Sequence, residues 1–213
     1  MSTEFEAQIL DIDPIEFRKK VKGIGGRLIH KNTKLQRTVY SLCGDSSKGF
    51  VRVRLEGDGS TTMTSKIYTK SKDFPQEYEV GVQGTYDEAK SFLDSLQLPP
   101  RASQETYREK WSLPSVAGVR EITIDLWPGL PPYAEIDCDT EETLKSVIVM
   151  FRIEESTIAY GPSAKKYEHY YGIDPDIINN HTPSLTFAGI MSEITPKKNK
   201  DLLMRVFQKY KKL

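Results

Sequence analysis

The feature that most limits what this chain can become is a doubling of like charge along one face of its strand-like segments. Side chains alternate sides along a strand, so residues two apart stand together. Glu4 and Glu6, Arg52 and Arg54, Glu77 and Glu79, Arg108 and Lys110, and Glu135 and Asp137 are five such pairs, three acidic and two basic. Lys66 and the Glu121, Thr123, Asp125 face extend the series. The opposite faces are apolar: Phe5, Ala7, Ile9; Val51, Val53, Leu55; Tyr78, Val80, Val82; Ile122, Ile124, Leu126. One pair fits an ordinary sheet with a solvated face. Five of matching parity predict an α+β protein in which helices cover the apolar side and the charged side lines a shared polar interior.

The remaining punctuation supplies those helices. Asp13 as N-cap, Pro14 and Glu16 open a helix that the glycines of GIGG end, which is a better account of GIGG than a phosphate loop. A strand is expected over 35–43, a hairpin over 50–70 turning at Asp58-Gly59, and a strand over 77–82. Thr85 with Glu88 forms a capping box that opens a helix running to Pro99-Pro100. Strands follow at 106–113, 119–126 and 133–138. Helices are expected from Asp139 with Glu142, around 165–171 and 174–180, and over 199–211, where Leu202, Leu203, Val206, Phe207 and Tyr210 recur at helical spacing.

With 213 residues and 30 basic against 30 acidic side chains, the chain reads as one domain. Its zero formal charge argues against a protein whose main affinity is for nucleic-acid backbone. No apolar run reaches the roughly 20 residues that span a bilayer. The start MSTEFEAQ lacks a secretory pattern and Cys43 and Cys138 are the only cysteines, so the expected setting is a reducing cytoplasm. His30, His169 and His181 stand at no metal-ligand spacing.

Arginines and lysines facing one interior suit phosphoryl oxygens, and clustered carboxylates suit Mg²⁺ or Mn²⁺. A polyphosphate with a divalent metal satisfies both walls together.

The ordered series resembles the CYTH superfamily, the triphosphate tunnel metalloenzymes. Glu4-Phe5-Glu6-Ala7-Gln8 matches a Glu-x-Glu-x-Lys signature except at Gln8. VRVRLE, the TSK strand, EYE, YREKW and ITIDLWPGLPPYAEID follow in order, and Lys165 and Lys166 supply late basic residues. The resemblance implies a closed eight-stranded antiparallel tunnel with a charged interior over 1–171, and a helical C-terminal extension, 172–213, packed on the same domain. It implies that Glu4, Glu6, Glu135 and Asp137 hold Mg²⁺ or Mn²⁺, with Asp125, Glu77 and Glu79 completing the metal site, positioning a water or anchoring basic side chains. Arg52, Arg54, Lys66, Arg108 and Lys110 would grip the triphosphate, and Lys165 or Lys166 would close one mouth. Glu4, Glu6, Gln8 and Asp125 form the catalytic group. Gln8 removes a positive charge from the substrate wall, and charge-assisted contacts to phosphate are about twice as strong as neutral ones. Asp137 is shorter than the usual second glutamate.

The activity implied is metal-dependent hydrolysis of a triphosphate: tripolyphosphate, thiamine triphosphate or a nucleoside triphosphate. A class IV adenylyl cyclase and a non-catalytic polyphosphate-binding or nucleotide-binding protein are the alternatives. The expected partner is a triphosphate-bearing small molecule, with an RNA 5′ triphosphate end as the single nucleic-acid candidate, on a monomer or homodimer.

Overall fold

The computed structural model describes residues 2–3, 5–68 and 76–211. Eleven strands and seven α-helices lie among them. The strands are β1 (Ser2–Thr3), β2 (Phe5–Ile9), β3 (Arg27–Ser41), β4 (Gly49–Leu55), β5 (Thr61–Ile67), β6 (Gln76–Val82), β7 (Pro100–Ser112), β8 (Val119–Leu126), β9 (Tyr133–Cys138), β10 (Ile158–Ala159) and β11 (Ser184–Leu185). They join one curled sheet in the order β1-β6-β5-β4-β3-β7-β8-β9-β2-β10, antiparallel except where β11 lies parallel to β7. The N-terminal run touches both ends of this path: Ser2 and Thr3 pair with β6, while β2 pairs with β9.

The helices are α1 (Pro14–Gly23), α2 (Tyr86–Ser95), α3 (Glu141–Met150), α4 (Ala164–Tyr171), α5 (Pro175–Asn180), α6 (Ile190–Glu193) and α7 (Lys200–Tyr210). Asp13 caps α1 by accepting from the amides of Ile15 and Glu16. The Glu16 carboxylate binds Lys19 at 2.7 Å. The Thr85 and Glu88 capping box forms in full. α3 starts one residue later than its sequence suggests, because the Thr140 hydroxyl accepts from the Thr143 amide.

Two apolar clusters lie outside the curl, and a third borders the cavity. Ala7, Ile9, Trp111, Ile122, Ile124 and Ile136 pack under Phe17 and Val21 of α1 and Leu144 and Val147 of α3. Tyr40 and Val53 meet Ala89 and Leu93 of α2. Trp127, Leu130 and Tyr133 meet Tyr167 and Tyr171 of α4 together with Ile178, Leu185, Ile190 and Leu203. Burial of these side chains, at roughly 25 cal/mol per Å², turns the apolar faces of β2, β4 and β8 onto helices, whereas on β6 the apolar face expected from the sequence is not covered: Tyr78 and Val80 are exposed, because no helix among the described residues packs over them.

The strand expected over 35–43 is the second half of β3 as far as Ser41; Leu42 and Cys43 leave it in a short 3-10 turn, where Cys43 takes a φ of +50°. The first half of β3, residues 27–34, is mostly exposed and has no apolar alternation to announce it, yet it pairs with the distal half of β7.

Candidate functional site

The inner face of the curl borders a cavity of about 780 Å³. Register fixes what meets across it. Glu6 stands opposite Asp137 and Gln8 opposite Glu135 on β2 and β9. Arg108 stands opposite Asp125, and Lys110 opposite Thr123, on β7 and β8. Lys66 stands opposite Glu77, and Thr64 opposite Glu79, on β5 and β6.

Glu6, Gln8, Arg52, Arg54, Lys66, Glu77, Glu79, Arg108, Lys110, Glu135 and Asp137 all line the cavity. Asp125 lies behind Arg108 and is 1% exposed. Lys165 faces solvent on α4, whereas Lys166 is 1% exposed. Glu4 falls outside the described residues.

The basic side chains are largely held by carboxylates. Arg52 reaches Glu77 at 3.6 Å and Glu79 at 3.3 Å, and Lys66 reaches Glu77 at 3.1 Å. Arg54 binds Glu56, and Lys110 binds Glu121. Arg108 donates from Nε to Asp125 Oδ1 at 2.7 Å, binds its other oxygen, and donates to Glu135 Oε2 at 2.7 Å.

Burial pushes the Asp125 carboxyl up to about 6; Arg108 pulls against that rise and the Glu135 charge adds to it. Burial also acts to raise Glu135, but Arg108 and Lys166 outweigh it and hold that carboxyl below its ordinary value. Two adjacent carboxyls of opposite tendency can hold one proton between them in mildly acidic solution.

Gln8 is 3% exposed and threefold bonded. Its amide donates to Glu6 Oε1 at 2.9 Å and to the Gly161 carbonyl at 2.8 Å, while its oxygen accepts from Lys166 Nζ at 2.5 Å. That ammonium lies 3.9 Å from the centre of the Tyr133 ring. Burial lowers it to about 8, against the pull of Glu135, Glu6 and Asp125.

Three basic lining residues escaped sequence reasoning. Arg37 sits between Leu35 and Val39 on its strand face, so it forms no charged pair in sequence; only the β3–β4 register, which sets it opposite Arg54, reveals it. Arg120 reaches the cavity at an irregularity of β8 between Val119 and Glu121. Arg101 lies where the β3–β7 register shifts between Val39 and Tyr40, and its guanidinium stands 5.7 Å from the Phe50 ring centre.

A carboxylate pair at one register position offers hard oxygen donors of the kind Mg²⁺ and Mn²⁺ take. Among the described residues no group of three or more His, Cys, Asp or Glu is gathered closely enough to enclose a metal by itself. Mg²⁺ is commonly held by one or two carboxylates plus substrate phosphates, so the donor set fits that arrangement.

The CYTH domain model matches residues 4–171. The chain belongs to the CYTH domain family. No curated protein matches it in sequence. Solved structures similar to this CYTH chain include a protein proposed to be an adenylate cyclase from Vibrio parahaemolyticus, 15% identical with a TM-score of 0.65 over 78% of this chain and 98% of that one. The PH1012 protein of Pyrococcus horikoshii is 17% identical, with a TM-score of 0.61 over 73% and 94%. A proposed adenylyl cyclase of Hippeastrum, with a dominant triphosphatase activity, is 12% identical, with a TM-score of 0.53 over 79% and 94%. At these identities the likeness is one of fold. Among the described residues no helix is long and apolar enough to cross a membrane.

Proposed function

We propose that this CYTH chain binds a triphosphate in the cavity and hydrolyses its terminal phosphoanhydride with Mg²⁺ or Mn²⁺. The observation that carries the reading is two walls of opposite character on one cavity: Arg52, Arg54, Lys66, Arg108 and Lys110 on β4, β5 and β7, and Glu6, Glu135 and Asp137 on β2 and β9. The pairing of the N-terminal run with both β6 and β9 supports a closed, eight-stranded tunnel. The shared core of Trp127 and Tyr133 with Ile178 and Leu203 supports an extension, 172–213, that belongs to the same domain.

Glu6 and Asp137, with Glu4, would hold the metal, which when bound neutralises phosphoryl charge and lowers the pKa of a bound water. Arg52, Arg54, Lys66 and Lys110 exchange carboxylate partners for phosphoryl oxygens, fixing the chain of phosphates for in-line attack. Arg108 holds Asp125 and Glu135, and the shared proton of that pair places an acid within the site. Gln8, clamped by Lys166 and Gly161, orients the Glu6 carboxylate. The dominant triphosphatase activity of the Hippeastrum protein, on a similar fold, favours hydrolysis over cyclisation.

Phosphate release from tripolyphosphate, thiamine triphosphate and ATP, with Mg²⁺, Mn²⁺ or chelator, tests this beside Glu6→Ala. Metal-dependent release lost in a folded Glu6→Ala protein is expected. Release that persists in Glu6→Ala refutes the assignment of Glu6, and cyclic AMP formed from ATP refutes hydrolysis as the main reaction.

A further inference from the structure

We propose that Arg37 captures the phosphates of the substrate before any metal is bound. The inference rests on the triphosphate reading above. Every basic side chain of the charged pairs already has a carboxylate within ion-pair distance. Arg37 has none among the described residues, although it is 6% exposed. Its guanidinium donates to the Thr106 hydroxyl and lies 4.9 Å from the centre of the Trp127 ring. Its Nε is buried without a hydrogen-bond partner.

Its neighbours add to the deficit. Arg54 is its direct partner across β3–β4, and like charges in that position repel. Arg52, Arg54 and Arg108 all act on Arg37 as like charges, with the Asp125 carboxylate as the opposing one. A buried cation without a carboxylate partner is costly to keep, and the fold keeps this one on the cavity wall. An anion entering the cavity gains most where no carboxylate must first be displaced. At Arg52, Arg54, Lys66, Arg108 and Lys110 it must break an existing ion pair; at Arg37, which is more deeply buried than Arg101, the other lining arginine with no carboxylate in ion-pair distance among the described residues, it completes one. Capture therefore needs no metal, and the metal joins the phosphates already held.

Calorimetric titration of tripolyphosphate into the full chain in chelator, with melting of the free protein, tests the proposal on wild type, Arg37→Gln and Arg37→Lys. Wild type is expected to bind without metal. Arg37→Gln should lose affinity on the order of 10- to 100-fold, the range of a charge-assisted hydrogen bond, while its free form melts no lower than wild type. Arg37→Lys keeps the charge without the planar fork and should bind between the two. Affinity within twofold of wild type in either variant overturns the proposal, as does wild-type binding that requires Mg²⁺. Should Arg37→Gln fail to fold, the Arg37→Lys titration decides alone. A wild-type protein that binds neither tripolyphosphate nor ATP, with or without Mg²⁺, overturns the triphosphate reading itself.

Discussion

Replacing Arg108 by methionine removes the cation that Asp125, Glu121 and Glu135 share. The guanidinium binds both oxygens of Asp125, reaches Glu135 Oε2 at 2.7 Å, and lies 3.5 Å from Glu121. Deleting one partner of a buried ion pair costs about 3–5 kcal/mol, because the survivor stays buried and charged. For a chain of this length that lowers the melting temperature by roughly 6–20 °C, taking about 2–4 °C per kcal/mol. The loss has a definite pH dependence. Burial already raises the Asp125 carboxyl to about 6 in the folded protein, above its ordinary 3.8, so its contribution is full below that ordinary value and is lost as pH rises through about 6. Without Arg108 to oppose burial, Asp125 rises further and is protonated at pH 5, and Glu135 loses the strongest pull that holds it down. Urea unfolding of both proteins at pH 8 and pH 5 should show the full loss at pH 8 and less than about half of it at pH 5. An equal loss at both pH values would refute the account of Arg108 as a counter-ion.

Lys166→Met should flatten the alkaline stability profile. The buried ammonium titrates near about 8 instead of 10.5, so the unfolded chain binds the extra proton between those values and wild-type stability rises with pH there, by about 3 kcal/mol at 1.36 kcal/mol per pH unit. Urea midpoints at pH 7.5 and 10 that rise equally in both proteins would contradict this. Gly129→Ala should destabilise the protein by on the order of 2 kcal/mol. Its φ is +76°, and an added Cβ would stand 2.9 Å from Leu203 of α7 and 3.2 Å from Ile190. Leu203→Ala, at a side chain with no exposure, should cost about 2–5 kcal/mol, and melting curves check both.

Local rules made most of the scaffold legible. Asp58-Gly59 sets a turn whichever sheet it serves: Gly59 has φ +87°, and β4 and β5 flank it. Period-two alternation located β8 and β9, because one apolar face recurs along each. The first half of β3 was not legible, since it is a mostly exposed stretch whose strand character comes from its partner β7. β10 and β11, two residues each, exist only through pairing with β2 and β7.

The sequence by itself determined which residues carry charge and which strand face they share, because side-chain parity is a property of a single strand. It also determined where α1 and α2 begin, because their capping bonds span only a few residues. Pairing between strands was decided by the tertiary structure. Register set Arg37 against Arg54 and Glu6 against Asp137, and shifts of register turned Arg101 and Arg120 into the cavity. Helix packing alone brought Lys166 to Gln8 across 158 positions of sequence. Electrostatic partnership depends on distance through space. A chain can therefore announce its charges without revealing which of them remain unneutralised.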